Sequence, residues 1–302
     1  MPLSVLILGN GSALPTVNTH QTAQILASGN ELFLIDCGEG TQVELRRHSV
    51  KIQRINHVFI SHLHGDHFFG LVGLLSSMHL LGRTNKIHIY GPEGLDEIVQ
   101  IQFRKGGSKL SFEMEFHAIN SAGMVLFENK NLIVETLPLN HRIPCFGFLF
   151  KEKIGLRKLK ANALKEFDIP KHKRKGITEG EDFINDEGER IPNEKITNAP
   201  ADPVSYAYCS DTAYSEKLIE LIKGIDLLYH ESTFLESEKE RAKKTFHSTA
   251  KQAAQVANLA GVGKLLLGHF SNRYRSKERF LMESRQIFKQ SFIAEEGVEF
   301  KV

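Results

Sequence analysis

Within residues 55–67, which read INHVFISHLHGDH, four side chains able to bind a metal fall in six positions: His62, His64, Asp66 and His67. They follow an apolar run, Val58, Phe59 and Ile60, that reads as a short buried strand. An open α/β sheet places its chemistry just past the C-terminal ends of such strands. His62 and His64 stand two apart, so in extended backbone both rings point toward one ion. Gly65 is expected to turn the chain sharply, letting Asp66 and His67 face a second position beside the first. Imidazole nitrogen with carboxylate oxygen suits zinc, with manganese, iron or cobalt as substitutes.

Other strand ends supply the rest of such a site. His141, in PLNHRIPCFGFLF, lies between a strand ending at Leu139 and one beginning near Cys145, and is a third ligand for the ion held by His62 and His64. VSYAYCSD ends at Asp211, whose two carboxylate oxygens can bridge two cations. LLLGHF ends at His269, the remaining ligand beside Asp66 and His67. The two sets are then His62, His64, His141 and Asp211, and Asp66, His67, His269 and Asp211. Paired cations point to hydrolysis by an activated water. The count alone leaves ester, amide, thioester and phosphodiester open.

Three further features tilt the choice toward a phosphodiester. His247 stands just before a helix cap, free for proton transfer, and Glu231, at the end of IDLLYHES, can orient it. Arg273, with Ser271 beside it, offers a fixed positive fork suited to phosphate. Residues 151–176 hold ten Lys or Arg against three Asp or Glu, before the sign flips in TEGEDFINDEGE. With little apolar content of its own, this block reads as an arm, with a short helix near 160–167. Its densest charge, Lys171, Lys173, Arg174 and Lys175, would attract a polyanion. Asp36, ending ELFLID, either holds a ligand histidine from behind or caps the next helix.

The elements that must position these residues follow an α/β pattern. Strands are expected at 3–8, 22–28 and 31–36, the last two joined as a hairpin through Gly29 and Asn30, then a helix in QVELRRH. FFGLVGLLSSMHLLG reads as one buried helix anchoring His67; KIHIYGP is a strand, and a helix follows over 94–103. Residues 111–118 and 131–139 alternate with period two, as strands of a second sheet. Helices are expected at 213–222, in HSTAKQAAQVANLAGVGK behind a Ser248 or Thr249 cap and before Gly261, and at 276–290.

Composition excludes several classes. A chain of 302 residues with 41% hydrophobic and 25% charged residues can bury a large core, and no apolar run reaches membrane-spanning length. A net charge of +2 does not by itself imply nucleic acid. Three widely spaced cysteines and the absence of a basic leader fit a cytoplasmic protein with free thiols.

Taken in order, LGNGSALPT, IDCGEGTQ, FISHLHGDHFFGLVGLL, NHRIPCFGF, YCSDT, HESTF, HST and GHFSNRY cover nearly the whole chain. Together they resemble the ribonuclease Z family of tRNA 3′-processing endonucleases, within the metallo-β-lactamase superfamily. HLHGDH alone is shared across the superfamily; HEST, HST and SNRY are far more specific. The resemblance implies a four-layer αβ/βα sandwich forming a single domain over residues 1–302, two Zn2+ per chain, and a homodimer. It implies that precursor tRNA is cut just after the discriminator nucleotide, leaving a tRNA 3′-hydroxyl and a trailer 5′-phosphate. Asp66 would act as general base as well as ligand, and His247 as proton donor supported by Glu231. The excursion at about 151–195 would be the flexible arm that grips the tRNA elbow. Two departures stand out: IPKHKRKGI lacks the Gly-Pro pair of many members, and Gly268 replaces the threonine that often precedes the ligand histidine. Two other readings fit part of the pattern. One is a phosphodiesterase of the same fold acting on small diesters or other nucleic acids; the other is a non-catalytic nucleic-acid-binding protein with a structural metal.

Overall fold

A computed structural model describes residues 3–302; Met1 and Pro2, where the chain was read as leaderless, lie outside them. Strands β1 (Ser4–Gly9), β2 (Ala23–Ser28) and β3 (Glu31–Cys37) run as an antiparallel meander. Parallel strands β4 (Ile55–Phe59), β5 (Ile87–Pro92) and β6 (Met114–Ile119) extend that sheet. Their crossovers carry helices α1 (Thr41–Arg47), α2 (Gly65–Phe68), α3 (Leu71–Leu80) and α4 (Leu95–Lys105). Next come β7 (Val125–Glu128), β8 (Leu132–Pro138) and β9 (Phe146–Glu152).

An intervening segment holds β10 (Lys158–Leu159), α5 (Ala161–Glu166), α6 (Arg174–Thr178), β11 (Phe183–Ile184), β12 (Arg190–Ile191), α7 (Asn193–Ile196) and β13 (Thr197–Asn198). The main body resumes with β14 (Ser205–Cys209), α8 (Glu216–Leu221), β15 (Leu227–Glu231) and α9 (Lys239–Thr245). It ends with α10 (Ala250–Ala260), β16 (Lys264–Gly268), α11 (Glu278–Arg285), β17 (Ser291–Ile293) and β18 (Glu299–Lys301). The two large sheets have the orders β18-β1-β2-β3-β4-β5-β6 and β17-β16-β15-β14-β9-β8-β7.

Strand alternation sorts the core. On β3, β4, β9, β14 and β15 the large aromatics fall on one face, where the two sheets meet: Phe59 lies 5.3 Å from Phe148 and 5.7 Å from Phe150, and Phe33 5.8 Å from Phe150. Alternate residues such as Leu34, Val58 and Ile60 pack with helices α1, α3 and α4, while Ala207, Leu228 and Leu265 pack with α8, α10 and α11. Each fully buried ring stabilises the sandwich by roughly 1.5–3 kcal/mol. Truncating Phe59, at 0% exposure, to alanine would cost about 3–5 kcal/mol. Helix α10 starts on a capping box between Thr249 and Gln252 and stops at left-handed Gly261, which settles the choice of cap.

Three expectations change. Residues 111–118 do not open the second sheet: β6 is the edge of the first, paired parallel to β5 through the α4 crossover. The helix expected over FFGLVGLLSSMHLLG is α3, beginning only at Leu71, and His67 sits instead on the separate short helix α2. The tail helix is shorter than 276–290, because the chain leaves it to add β17 to one sheet and β18 to the other. The basic excursion is a compact unit of Asn129–Leu132 and Lys151–Pro203. Its sparse apolar residues meet in their own core of Ala163, Ile169, Ile177, Phe183, Ile191 and Ile196.

Candidate metal centre

Every proposed ligand of the main body leaves the C-terminal end of a strand or the loop beyond it, as the parallel pairs within each sheet require. His62 and His64 follow β4, Asp66 and His67 lie on α2, and His141 lies between β8 and β9. Asp211 follows β14 and His269 follows β16. Gly65 begins α2 and is not left-handed; its missing side chain instead leaves room for the Phe69 ring, which an added Cβ would meet at 2.3 Å.

The donors form two sets that share one carboxylate. Nε2 of His62 and Nε2 of His141 lie 3.0 and 3.2 Å from Nδ1 of His64, and 3.5 and 3.8 Å from Asp211 Oδ2. On the other side, Nε2 of His67 and His269 lie 3.4 and 3.1 Å from Asp211 Oδ1, and 3.5 and 3.6 Å from Asp66 Oδ2. A tetrahedron of donors at zinc–nitrogen length has edges of about 3.3 Å, which these separations bracket. His67 Nε2 and His269 Nε2 are buried without a hydrogen-bond partner, a costly state that a bound cation relieves. Burial alone lowers His67, yet Asp211, Asp66 and Asp36 drive it well above the usual histidine range, so this position favours positive charge. The residues present fit a pair of divalent metals.

Four of the proposed histidine ligands are held from behind. His67 Nδ1 donates to Asp36 Oδ2 at 2.8 Å. Ser61 Oγ donates to the same oxygen at 2.9 Å and accepts from His62 Nδ1 at 3.0 Å. Tyr208 Oη adds a third donor to it at 2.6 Å, and Ser61 N–H holds Asp36 Oδ1 at 2.7 Å. Helix α1 starts at left-handed Gly40 with no side-chain cap, so Asp36 bonds His67 and Ser61 and does not cap that helix. Thr233 Oγ1 donates to Glu231 Oε2 at 2.8 Å and accepts from His269 Nδ1 at 2.9 Å. His141 Nδ1 donates to the Phe246 carbonyl at 3.1 Å. Asp36 and His269 both sit in left-handed backbone, φ 55° and 57°, a conformation unusual outside glycine and held here by these contacts.

The centre opens into a cleft of about 690 Å³ lined by Asp66, Asp211, His247, Ser271, Arg273 and two cations absent from the sequence reading, Arg142 and Arg241. His247 Nδ1 donates to Glu231 Oε1 at 2.8 Å, which leaves Nε2 for the cleft. Burial lowers this imidazole, but the Glu231 and Asp211 carboxylates outweigh burial and raise it to about 9. Its Nδ1 is also 4.0 Å from Asp211, so it could join the donors only by giving up Glu231. Arg273 donates to Ser271 Oγ at 3.1 Å and lies over the Phe234 ring.

In the compact basic unit, Lys171, Lys173 and Lys175 are exposed, whereas Arg174 is half-buried with its guanidinium on the Ile169 carbonyl. Gly268 also has a reason. A Cβ there would meet Tyr229 Oη at 2.2 Å, so the tyrosine fills the space that a threonine would need.

Residues 3–162 match the family described as Anti-Pycsar protein Apyc1, and residues 200–270 the beta-lactamase superfamily domain. The chain is 47% identical to a Ribonuclease Z of Cytophaga hutchinsonii, covering 100% of this chain and 97% of that one. It is 46% identical to a Ribonuclease Z of Bacteroides thetaiotaomicron, covering 97% and 93%. The chain belongs to the ribonuclease Z family. Among solved structures, human tRNase Z, short form, superposes with a TM-score of 0.72 at 27% identity over 99% of both chains. The fold is that of the metallo-β-lactamases, and the chain is a nuclease hydrolase of tRNA 3′ processing that binds divalent metal, with His/Asp clusters able to hold it.

Proposed function

We propose that the chain hydrolyses precursor tRNA at the phosphodiester 3′ to the discriminator nucleotide, using two zinc ions held by the donor sets that Asp211 joins. The observation that carries this reading is the split of Asp211, with Oδ2 on one histidine set and Oδ1 on the other, beside a cleft lined with arginines. Two bound zinc ions supply Lewis-acid stabilisation of the phosphate and a water acidic enough to attack. His62, His64 and His141 would hold one ion and Asp66, His67 and His269 the other, with Asp211 serving both sets.

Asp66, steadied by the Ala13 N–H at 2.7 Å, takes a proton from the attacking water as its oxygen bonds to phosphorus. The bond from phosphorus to the 3′-oxygen breaks, and His247 gives its Nε2 proton to that oxygen, leaving a tRNA 3′-hydroxyl and a trailer 5′-phosphate. Glu231 holds His247 in the tautomer and orientation this needs. Arg273 and Ser271 take the phosphate, and Lys171, Lys173 and Lys175 meet the tRNA backbone. The resemblance implies that the chain acts in the cytoplasm as a homodimer.

The test uses chain loaded with zinc or manganese, a 5′-labelled precursor tRNA with a 3′ trailer, and a chelated control. A single metal-dependent cut after the discriminator is expected. An intact precursor beside a hydrolysed small diester would contradict the tRNA reading and leave the dinuclear chemistry standing.

A further inference from the structure

Away from the centre, the first sheet gathers an unusual set of rings. Parallel register sets His57 beside His88, His88 beside Glu115, and Tyr90 beside His117, across β4, β5 and the edge strand β6. His57 lies five residues before His62. At strand rise this places the gathering about 16 Å back along β4 from the catalytic end.

Donor atoms of three residues converge there, one from each lying within 4.8 Å of the others. His88 Nδ1 is 3.1 Å from His117 Nε2, and the Glu115 carboxylate faces both rings, with Oε1 3.6 Å from His117 Nε2 and Oε2 3.8 Å from His88 Nδ1. These again bracket the edge of about 3.3 Å expected around a zinc-like ion. Both rings are already fixed: His57 stacks on His88 at 5.0 Å and 12°, and Tyr90 on His117 at 4.4 Å and 14°. Side-chain exposures of 30% for His88, 33% for His117 and 39% for Glu115 leave the donors open to an entering ion. Lys86 holds Glu115 Oε2 at 2.8 Å, but Glu113 stands 3.1 Å from the same ammonium and keeps it when Oε1 turns to a metal. Two imidazole nitrogens at 3.1 Å can share only one hydrogen.

We propose that His88, Glu115 and His117 form a separate binding site for a divalent transition ion of zinc type, which cross-links the edge strand β6 to β5. Three protein donors leave one position to solvent, and the ion would tie down β6, the edge strand of the first sheet.

The test is a comparison of metal content. The wild-type chain and a His88→Ala, His117→Ala double variant are chelated exhaustively and dialysed against the same free zinc. The variant is expected to hold one ion per chain fewer while hydrolysing a small phosphodiester at the wild-type rate. That difference does not depend on how many ions the catalytic centre takes, so this proposal can fail without touching the previous one. Equal metal content in both chains overturns it. Should the variant misfold, diethyl pyrocarbonate labelling of the wild-type chain decides. Zinc is expected to protect His88 and His117 and to spare exposed His172 as a control; unchanged labelling of the pair overturns the proposal.

Discussion

Asp36 and Glu231 are the same device built twice, one in each sheet. Each is a fully buried carboxylate at the C-terminal end of a strand, β3 or β15. Each holds one imidazole directly at 2.8 Å, His67 or His247. Each also reaches a second through a hydroxyl, Ser61 to His62 or Thr233 to His269. The difference lies in where the directly held ring points. His67 turns a fully buried Nε2 toward Asp66 and Asp211, whereas His247, 13% exposed, lines the cleft. A buried carboxylate thus fixes an imidazole without fixing its task; in the proposed mechanism, placement relative to Asp211 makes one a ligand and the other a proton donor.

Substitutions can break or sharpen that contrast. The largest effect is expected at the residue both halves share: Asp211→Ala removes a donor from each set, abolishing turnover and metal retention by elemental analysis. Full metal occupancy in that variant would sink the bridging assignment. His247→Ala is expected to keep its metal and slow cleavage by about 10²–10⁴-fold, most visibly for a diester with a poor leaving group. An unchanged single-turnover rate would remove His247 from the chemistry. Gly268→Ala drives a Cβ onto Tyr229 and is expected to cost about 1–3 kcal/mol in denaturant unfolding, with normal turnover in the folded fraction. The smallest effect on chemistry is expected from replacing Lys171, Lys173 and Lys175 by alanine. Precursor binding weakens and its salt slope falls by up to about 1 for each lost contact, while small-diester hydrolysis stays unchanged.

How much was legible follows the same division. The proposed ligands stood out because their residue types crowd the ends of apolar runs, and strand termini are where an α/β sheet exposes side chains to one another. Asp36 was readable as one of two alternatives; only the pairing of β3 beside β4 brings it to His67 and Ser61. Ser61, Thr233 and Tyr208 carry no sequence signal, since a buried hydroxyl acquires its partners from tertiary packing. Arg241 lies in the charged helix α9, where its spacing resembles any solvated face. Residues 111–118 showed a strand period but not which sheet they would join. The core of the basic unit was hidden because its apolar residues are thinly spread between charges.

The most direct measurement pairs Asp36→Asn with Glu231→Gln, recording metal content and single-turnover cleavage of precursor tRNA for both. Asp36→Asn is expected to weaken metal binding by about 10–100-fold and to recover cleavage as zinc is raised. Glu231→Gln is expected to hold its metal and stay slow at every zinc concentration. If both variants lose metal alike, or both recover alike, the two carboxylates do the same job and the contrast is wrong.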